Sequence, residues 1–137
     1  MDTKKITWSD DFSVGVTALD DQHKNLIEII NKLAVASQSS VDSEAVSDVL
    51  AEMHEYTKSH LDFEEQLLET HGYPDLEHHK AEHSEFMGNI GEFSIAVMNH
   101  HQNAPENILK YLYEWFGNHI LIEDKKYVPF FKSKNVT

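Results

Sequence analysis

The sequence predicts an all-α fold, an antiparallel up-down four-helix bundle with an extended N-terminal arm. Three observations carry that expectation. Glycine (5) and proline (3) are sparse, and Gly72, Pro74 and Pro105 fall where helices would end or begin. Between these breaks lie four long segments, 18–37, 43–71, 75–99 and 105–128, each with apolar residues at the 3–4 spacing of one helical face. The connectors are short, which favours antiparallel neighbours. A chain of 137 residues buries one real core and is too short for two ordinary ones, so residues 1–137 are expected to form a single domain.

Residues 1–17 carry Trp8, Phe12, Val14 and Val16 among polar neighbours without a helical period, as an arm laid over a bundle would. The first segment aligns Leu19, His23, Leu26, Ile30 and Leu33 on one face, and the polar connector Ser37–Ser43 offers several N-caps. The second aligns Val46, Leu50, Met53, Thr57, His60, Glu64 and Leu67. Gly72-Tyr73-Pro74 then reads as a helix end, with a C′ glycine and a proline that cannot continue. Leu76, His79, His83, Phe86, Ile90, Phe93 and Val97 make the third stripe. Asn103-Ala104-Pro105-Glu106 opens the fourth helix, whose stripe is Ile108, Leu112, Trp115, His119 and Ile122.

Composition narrows the function classes. Eleven basic against 24 acidic residues give a formal charge of −13, a surface that repels phosphate backbones and anionic lipid. Nucleic acid is therefore not an expected partner. No run approaches the ~20 apolar residues of a spanning helix, so membrane insertion is not expected either. The absence of cysteine excludes disulfides and thiolate metal sites. Met1 to Trp8 lacks an apolar leader core, which predicts a cytoplasmic protein.

Ten histidines are the anomaly. Every stripe places a histidine where an apolar core residue belongs, and the second also places Glu64 there. A buried carboxylate without partners costs several kcal/mol, so polar groups converging from four helices must satisfy one another or share a cation. His79/His83 and His60/Glu64 are i,i+4 pairs on one face. His119 and Asp124 are i,i+5, which a regular α-helix leaves about 140° apart. Either the two approach the site from different sides, or a π-type widening between Asn118 and Lys125 brings them together, the reading favoured here. Seven donors are too many for one small transition-metal ion but suit two neighbouring six-coordinate ions. One takes three histidines, two bridging carboxylates and a solvent bridge; the other takes two histidines and the same bridges, leaving a position open for a small ligand.

Asp20-Asp21-Gln22-His23, His60-Leu61-Asp62-Phe63-Glu64-Glu65, His79-Lys80-Ala81-Glu82-His83 and His119-Ile120-Leu121-Ile122-Glu123-Asp124 resemble, in order and spacing, the signature of the hemerythrin family. Trp8 and the stretch Glu69–Pro74 resemble its single-domain bacterial branch. The resemblance implies two non-haem Fe ions, oxo- or hydroxo-bridged, that bind O2 reversibly. It assigns His79, His83 and His119 to the saturated iron and His23 and His60 to the open one. Glu64 and Asp124 become the bridging carboxylates. Leu121 corresponds to a leucine lining the O2 pocket, with Leu26, Leu61 and Trp115 around it. NO, azide and other small anions are further ligands that such a site would take, while any protein partner is left open. One position departs from the family, which usually carries Phe after the second-helix histidine where this chain has Leu61.

Oxygen carriage, storage or sensing is thus the leading function, and a sensor would normally carry an output domain. The alternatives are a di-iron enzyme (peroxidase, ferroxidase or NO-reducing) and an iron buffer. The ferritin-like enzymes use Glu-x-x-His pairs, and none occurs in this sequence. His54, His71, His78, His100 and His101 are expected at the surface or partly exposed. Asp75, Glu77, Glu82 and Glu85 fall off the third stripe and are expected on a solvated face.

Overall fold

The computed structural model describes residues 6–38, 43–99 and 103–137. Among them the chain is helical without strands: α1 (Thr17–Gln38), α2 (Ser43–His71), α3 (Leu76–Met98) and α4 (Ala104–Trp115). The fourth helix does not stop at Trp115. It passes into a π-helical segment, Phe116–Glu123, then a 3-10 turn, Asp124–Tyr127, and a short last helix, α5 (Val128–Ser133). Helix α1 packs on α2, α2 on α3, α3 on α4, and α4 closes the ring on α1. This is the up-down four-helix bundle that the periodicity predicts. No helix of the described residues is long and apolar enough to cross a membrane.

The helix ends follow local chemistry. Gly72 takes φ +77 after α2, its N–H donates to the Glu69 carbonyl, and the Tyr73 N–H reaches the Leu68 carbonyl. These two bonds form the Schellman motif expected of a C′ glycine. The same pattern closes α5, with Asn135 at φ 57 and bonds from Asn135 to Lys132 and from Val136 to Phe131. Residues 39–42 of the polar connector, and His100 and His101, lie outside the described residues. Ser37 is helical and its hydroxyl donates to the Leu33 carbonyl.

The arm is held by specific bonds. The Ile6 N–H and carbonyl pair with the Asn31 side chain, at 2.9 Å each. Asp20, in the first turn of α1, accepts from the Val14 N–H at 2.8 Å and the Ser13 hydroxyl at 2.5 Å. Phe12 sets its ring edge-on to Trp8 and Phe116, sealing one side of the bundle.

Most stripe residues are buried; Leu67, Leu76, Phe93 and Trp115 are half-buried and Ile122 is exposed. Leu68, the neighbour of Leu67, is fully buried. Ile122, expected in the fourth stripe, is 54% exposed. The π segment explains this correction: its wider turn rotates everything beyond Phe116 out of the 3.6-residue register, and Ile122 swings outward.

The apolar interior is not continuous. One cluster contains Leu26, Ile30, Leu33, Leu50, Met53, Leu61, Phe86, Ile90, Leu112, Phe116 and Ile120. A smaller one contains Val14, Val16, Leu19, Leu68, Tyr127 and Phe131. Every helix passes from one to the other through buried polar residues: His23 between Leu19 and Leu26, Glu64 between Leu61 and Leu68, His79 and His83 between Leu76 and Phe86, and His119 and Asp124 between Phe116 and Tyr127.

Two glycines with opposite backbone demands test the account of the helix ends. Gly72→Ala, forced into positive φ, should lower stability by about 1–2 kcal/mol. Gly88, exposed inside α3 with nothing within 4 Å of an added Cβ, should as Gly88→Ala gain about 0.5–1 kcal/mol. Urea unfolding midpoints give both signs.

Candidate metal centre

The polar layer between the two apolar clusters brings together all seven side chains singled out from the sequence. His23, His60, Glu64, His79, His83, His119 and Asp124 are each 0–4% exposed. Glu64 lies at the middle. Its Oε1 is 2.5 Å from His79 Nε2 and 3.3 Å from His83 Nε2, and its Oε2 is 3.6 Å from His60 Nε2 and 3.9 Å from His23 Nε2. Asp124 divides in the same way. Its Oδ1 is 3.1 Å from His119 Nε2 and 3.2 Å from His79 Nε2, while its Oδ2 is 3.4 Å from His23 Nε2. Each carboxylate therefore turns one oxygen toward His79, His83 and His119 and the other toward His23 or the His23–His60 pair.

Asp124 reaches this position because the π turn forms. The N–H of Asp124 donates to the carbonyl of His119, five residues back, as the i,i+5 spacing requires. The distortion spans Phe116–Glu123 and so begins two residues before the expected Asn118.

Protein groups alone leave this cluster poorly satisfied. Among the described residues, both ring nitrogens of His23 and both oxygens of Asp124 are buried without a hydrogen-bond partner, although other polar atoms lie within 3.1–3.4 Å of three of them. His83 and His119 point Nε2 at Nε2, 3.0 Å apart. Close donor atoms with unsuitable mutual geometry are what a cation between them relieves.

The electrostatics point the same way. Burial works against charge on Glu64, but His79 and His83 overcome it and hold its carboxyl well below the usual range. Asp124 is likewise lowered by His119 and His79, against burial and the charge of Glu64. Burial pushes His60 down to about 4. Burial also opposes charge on His79, yet the Asp124 and Glu64 carboxylates outweigh it and raise His79 to about 10. Two ionised carboxylates in a dry core demand positive charge, which protons on imidazole supply when nothing better is present.

Four residues outside the expected set organise the site. The Nδ1–H of His60 donates to Gln22 Oε1 at 2.6 Å, that of His83 to Glu65 Oε2 at 2.9 Å, and that of His119 to Glu82 Oε2 at 3.0 Å. Each bond fixes the tautomer with the Nε2 lone pair facing inward. The hydroxyl of Tyr127 donates to Glu64 Oε2 at 3.2 Å. Glu82 is thus not simply part of a solvated face. Gln22, Glu65 and Glu82 each adjoin a candidate ligand in sequence but serve one on the next element around the bundle. The only signal in the sequence was that adjacency.

The apolar surroundings are mixed in depth. Leu26 and Leu61 are fully buried, whereas Leu121 and Trp115 are half-buried. Trp115 lies flat on the His119 ring, centroids 4.6 Å apart, and also stacks on Phe86. It abuts the three-histidine group. His54 and His78 are exposed as expected, and His71 is half-buried with Nδ1 donating to the Leu67 carbonyl.

The sequence model of the Hemerythrin HHE cation binding domain matches residues 14–131. The chain is 35% identical over 122 residues to a bacteriohemerythrin of Stenotrophomonas maltophilia, covering 89% of this chain and 78% of that one. It is 32% identical over 120 residues to a myohemerythrin of Theromyzon tessulatum, covering 88% of each. A crystal structure of wild-type hemerythrin superposes with a TM-score of 0.82 at 27% identity, over 90% of this chain and 95% of that one. Built on the same bundle and matched through all four histidine-bearing helices, this chain belongs to the hemerythrin family.

Proposed function

We propose that this protein binds O2 reversibly at a non-haem di-iron centre, for oxygen carriage, storage or sensing. His79, His83 and His119 would hold one ion and His23 and His60 the other. Glu64 and Asp124 would bridge them. One observation carries the assignment: the two oxygens of Glu64 face different histidine groups, and those of Asp124 divide in the same sense. Unequal groups of three and two histidines suit one filled coordination sphere and one with room for a ligand. Nitrogen and oxygen donors without sulfur suit iron in this role.

When bound, two ferrous ions supply the electrons and the open coordination position that O2 binding needs. The remaining work falls to the chain. Glu64 and Asp124, with one hydroxide, reduce the charge of two ferrous ions to a single positive unit, which an apolar bundle tolerates far better than four. Gln22, Glu65 and Glu82 keep three imidazoles from rotating. Leu26, Leu61 and Leu121 would form the wall of the ligand side, with Trp115 behind His119. A wall of leucines brings no proton donor, and that favours release of O2 intact over its reduction.

The division between carrier and enzyme is read directly. The iron-loaded protein, reduced anaerobically, should develop a visible absorption on adding O2 and lose it on deoxygenation, over repeated cycles. Irreversible conversion to the diferric form, with steady consumption of reductant, would place the protein among the enzymes instead. Iron removal should lower the thermal midpoint by at least ~5 °C, because metal binding is part of the folding free energy here; equal midpoints would count against a buried cation. Leu61 forms, with Glu65 and His83, part of the lining of a cleft of about 420 Å³ between α2 and α3. Leu61→Phe fills space beside that cleft and should slow autoxidation several-fold in the O2-bound sample.

A further inference from the structure

A second group of ligating side chains comes together at the surface. His78 on α3, Glu82 one turn along, and Glu123 from the π segment each bring one ligand atom within 4.8 Å of the others. His78 Nε2 is 3.0 Å from Glu82 Oε1 and 3.8 Å from Glu123 Oε2. The group is open to solvent, with His78 53%, Glu82 27% and Glu123 20% exposed. Two features separate it from ordinary acidic surface. It includes an imidazole, and it is tied to the buried centre: while Glu82 Oε1 faces His78, Glu82 Oε2 accepts from His119 Nδ1.

Beside it a cavity of about 400 Å³ opens between α3 and the α4–π helix. Glu82, Glu85, Glu114 and Glu123 line it, and His119 reaches it from the core. A concavity walled by one sign of charge concentrates counter-ions. The candidate ligands beneath are at most 4% exposed, so a cation needs a place to exchange its water for protein donors before it is buried. Glu82 and His119 span the distance from the outer group to the inner one.

We propose that His78, Glu82 and Glu123 form an outer divalent-cation site through which Fe2+ is loaded into the buried centre, an inference that rests on the di-iron reading above. One imidazole and two carboxylates suit Fe2+, Mn2+ or Zn2+. A cation of the chain itself stands beside the group: Lys126 Nζ is 2.9 and 3.0 Å from the two oxygens of Glu123. Its side chain is 52% exposed, so the ammonium can swing into solvent when a divalent ion arrives. Transfer inward is ligand exchange along Glu82 and His119 and involves no change of oxidation state.

The test uses the full chain in two measurements. In the first, protein whose buried centre has been filled with Zn2+ is titrated with Mn2+, and free Mn2+ is followed by its EPR signal. One further Mn2+ should bind. His78→Ala and Glu123→Gln should weaken it by roughly tenfold or more. Lys126→Gln should tighten it. Glu52→Gln, the same charge change at an exposed position on α2, should leave it unaltered. In the second, Fe2+ uptake by metal-free protein is timed against a ferrous chelator. His78→Ala and Glu123→Gln should slow uptake several-fold while reaching the wild-type iron content, and Lys126→Gln should speed it. Mn2+ binding indifferent to these variants overturns the site, and unchanged uptake despite lost Mn2+ binding overturns its loading role. A wild-type protein that retains no iron would reject the di-iron reading and the loading role with it, whatever the Mn2+ titration shows.

Discussion

Two carboxylates and five imidazoles cross the middle of a four-helix bundle and cut its apolar core in two. That layer is the constraint on which the other features depend. A buried ionised carboxylate is tolerable only beside positive charge and hydrogen-bond donors, and among the described residues no lysine pairs with Glu64 or Asp124, whose ion-pair partners are all histidines. The positive charge must come from protonated imidazole or from metal. The Nε2 atoms of His83 and His119 meet head-on and His23 finds no hydrogen-bond partner among the described residues, so protons satisfy the layer incompletely. A pair of cations would satisfy every donor at once, and the same seven side chains then become both the reason the bundle holds together and the site of its chemistry.

The fourth helix shows how far the backbone bends to meet that constraint. A regular α-helix would keep Ile122 in the core and turn Asp124 away from His119. The chain instead widens over Phe116–Glu123, tightens over Asp124–Tyr127 and resumes as α-helix at Val128. The exchange exposes an isoleucine and buries an aspartate, which the hydrophobic effect alone opposes. It also carries Tyr127 beneath Glu64 and Phe131 into the smaller apolar cluster. The irregularity is thus shared between the site and the core at that end.

Around the layer runs a second set of interactions with its own order. Gln22 on α1 orients His60 on α2, Glu65 on α2 orients His83 on α3, and Glu82 on α3 orients His119 on the π segment. Helix packing and imidazole orientation are coupled by these bonds, since sliding one helix on its neighbour would break the bond to the next ligand. Glu82 also faces outward to His78. It connects the dry interior to an acidic surface that, with a formal charge of −13, attracts cations throughout.

Periodicity, helix stops and the polar intrusions made much of this protein legible from the chain alone. The four helices, the glycine end after His71, the arm over the bundle and the seven inward-facing donors follow from local spacing, because a helix converts sequence intervals into directions. The i,i+5 spacing of His119 and Asp124 allowed a π turn or two separate approaches, and the structure has the π turn. Tertiary structure decided the rest. Which oxygen of Glu64 meets which histidines, that Glu82 supports His119 rather than facing water alone, that Tyr127 reaches Glu64 and that Ile122 lies outside depend on the relative rotation and rise of separate helices. Those offsets are set by side-chain packing and by the widened turn, and no interval along one strand of sequence encodes them.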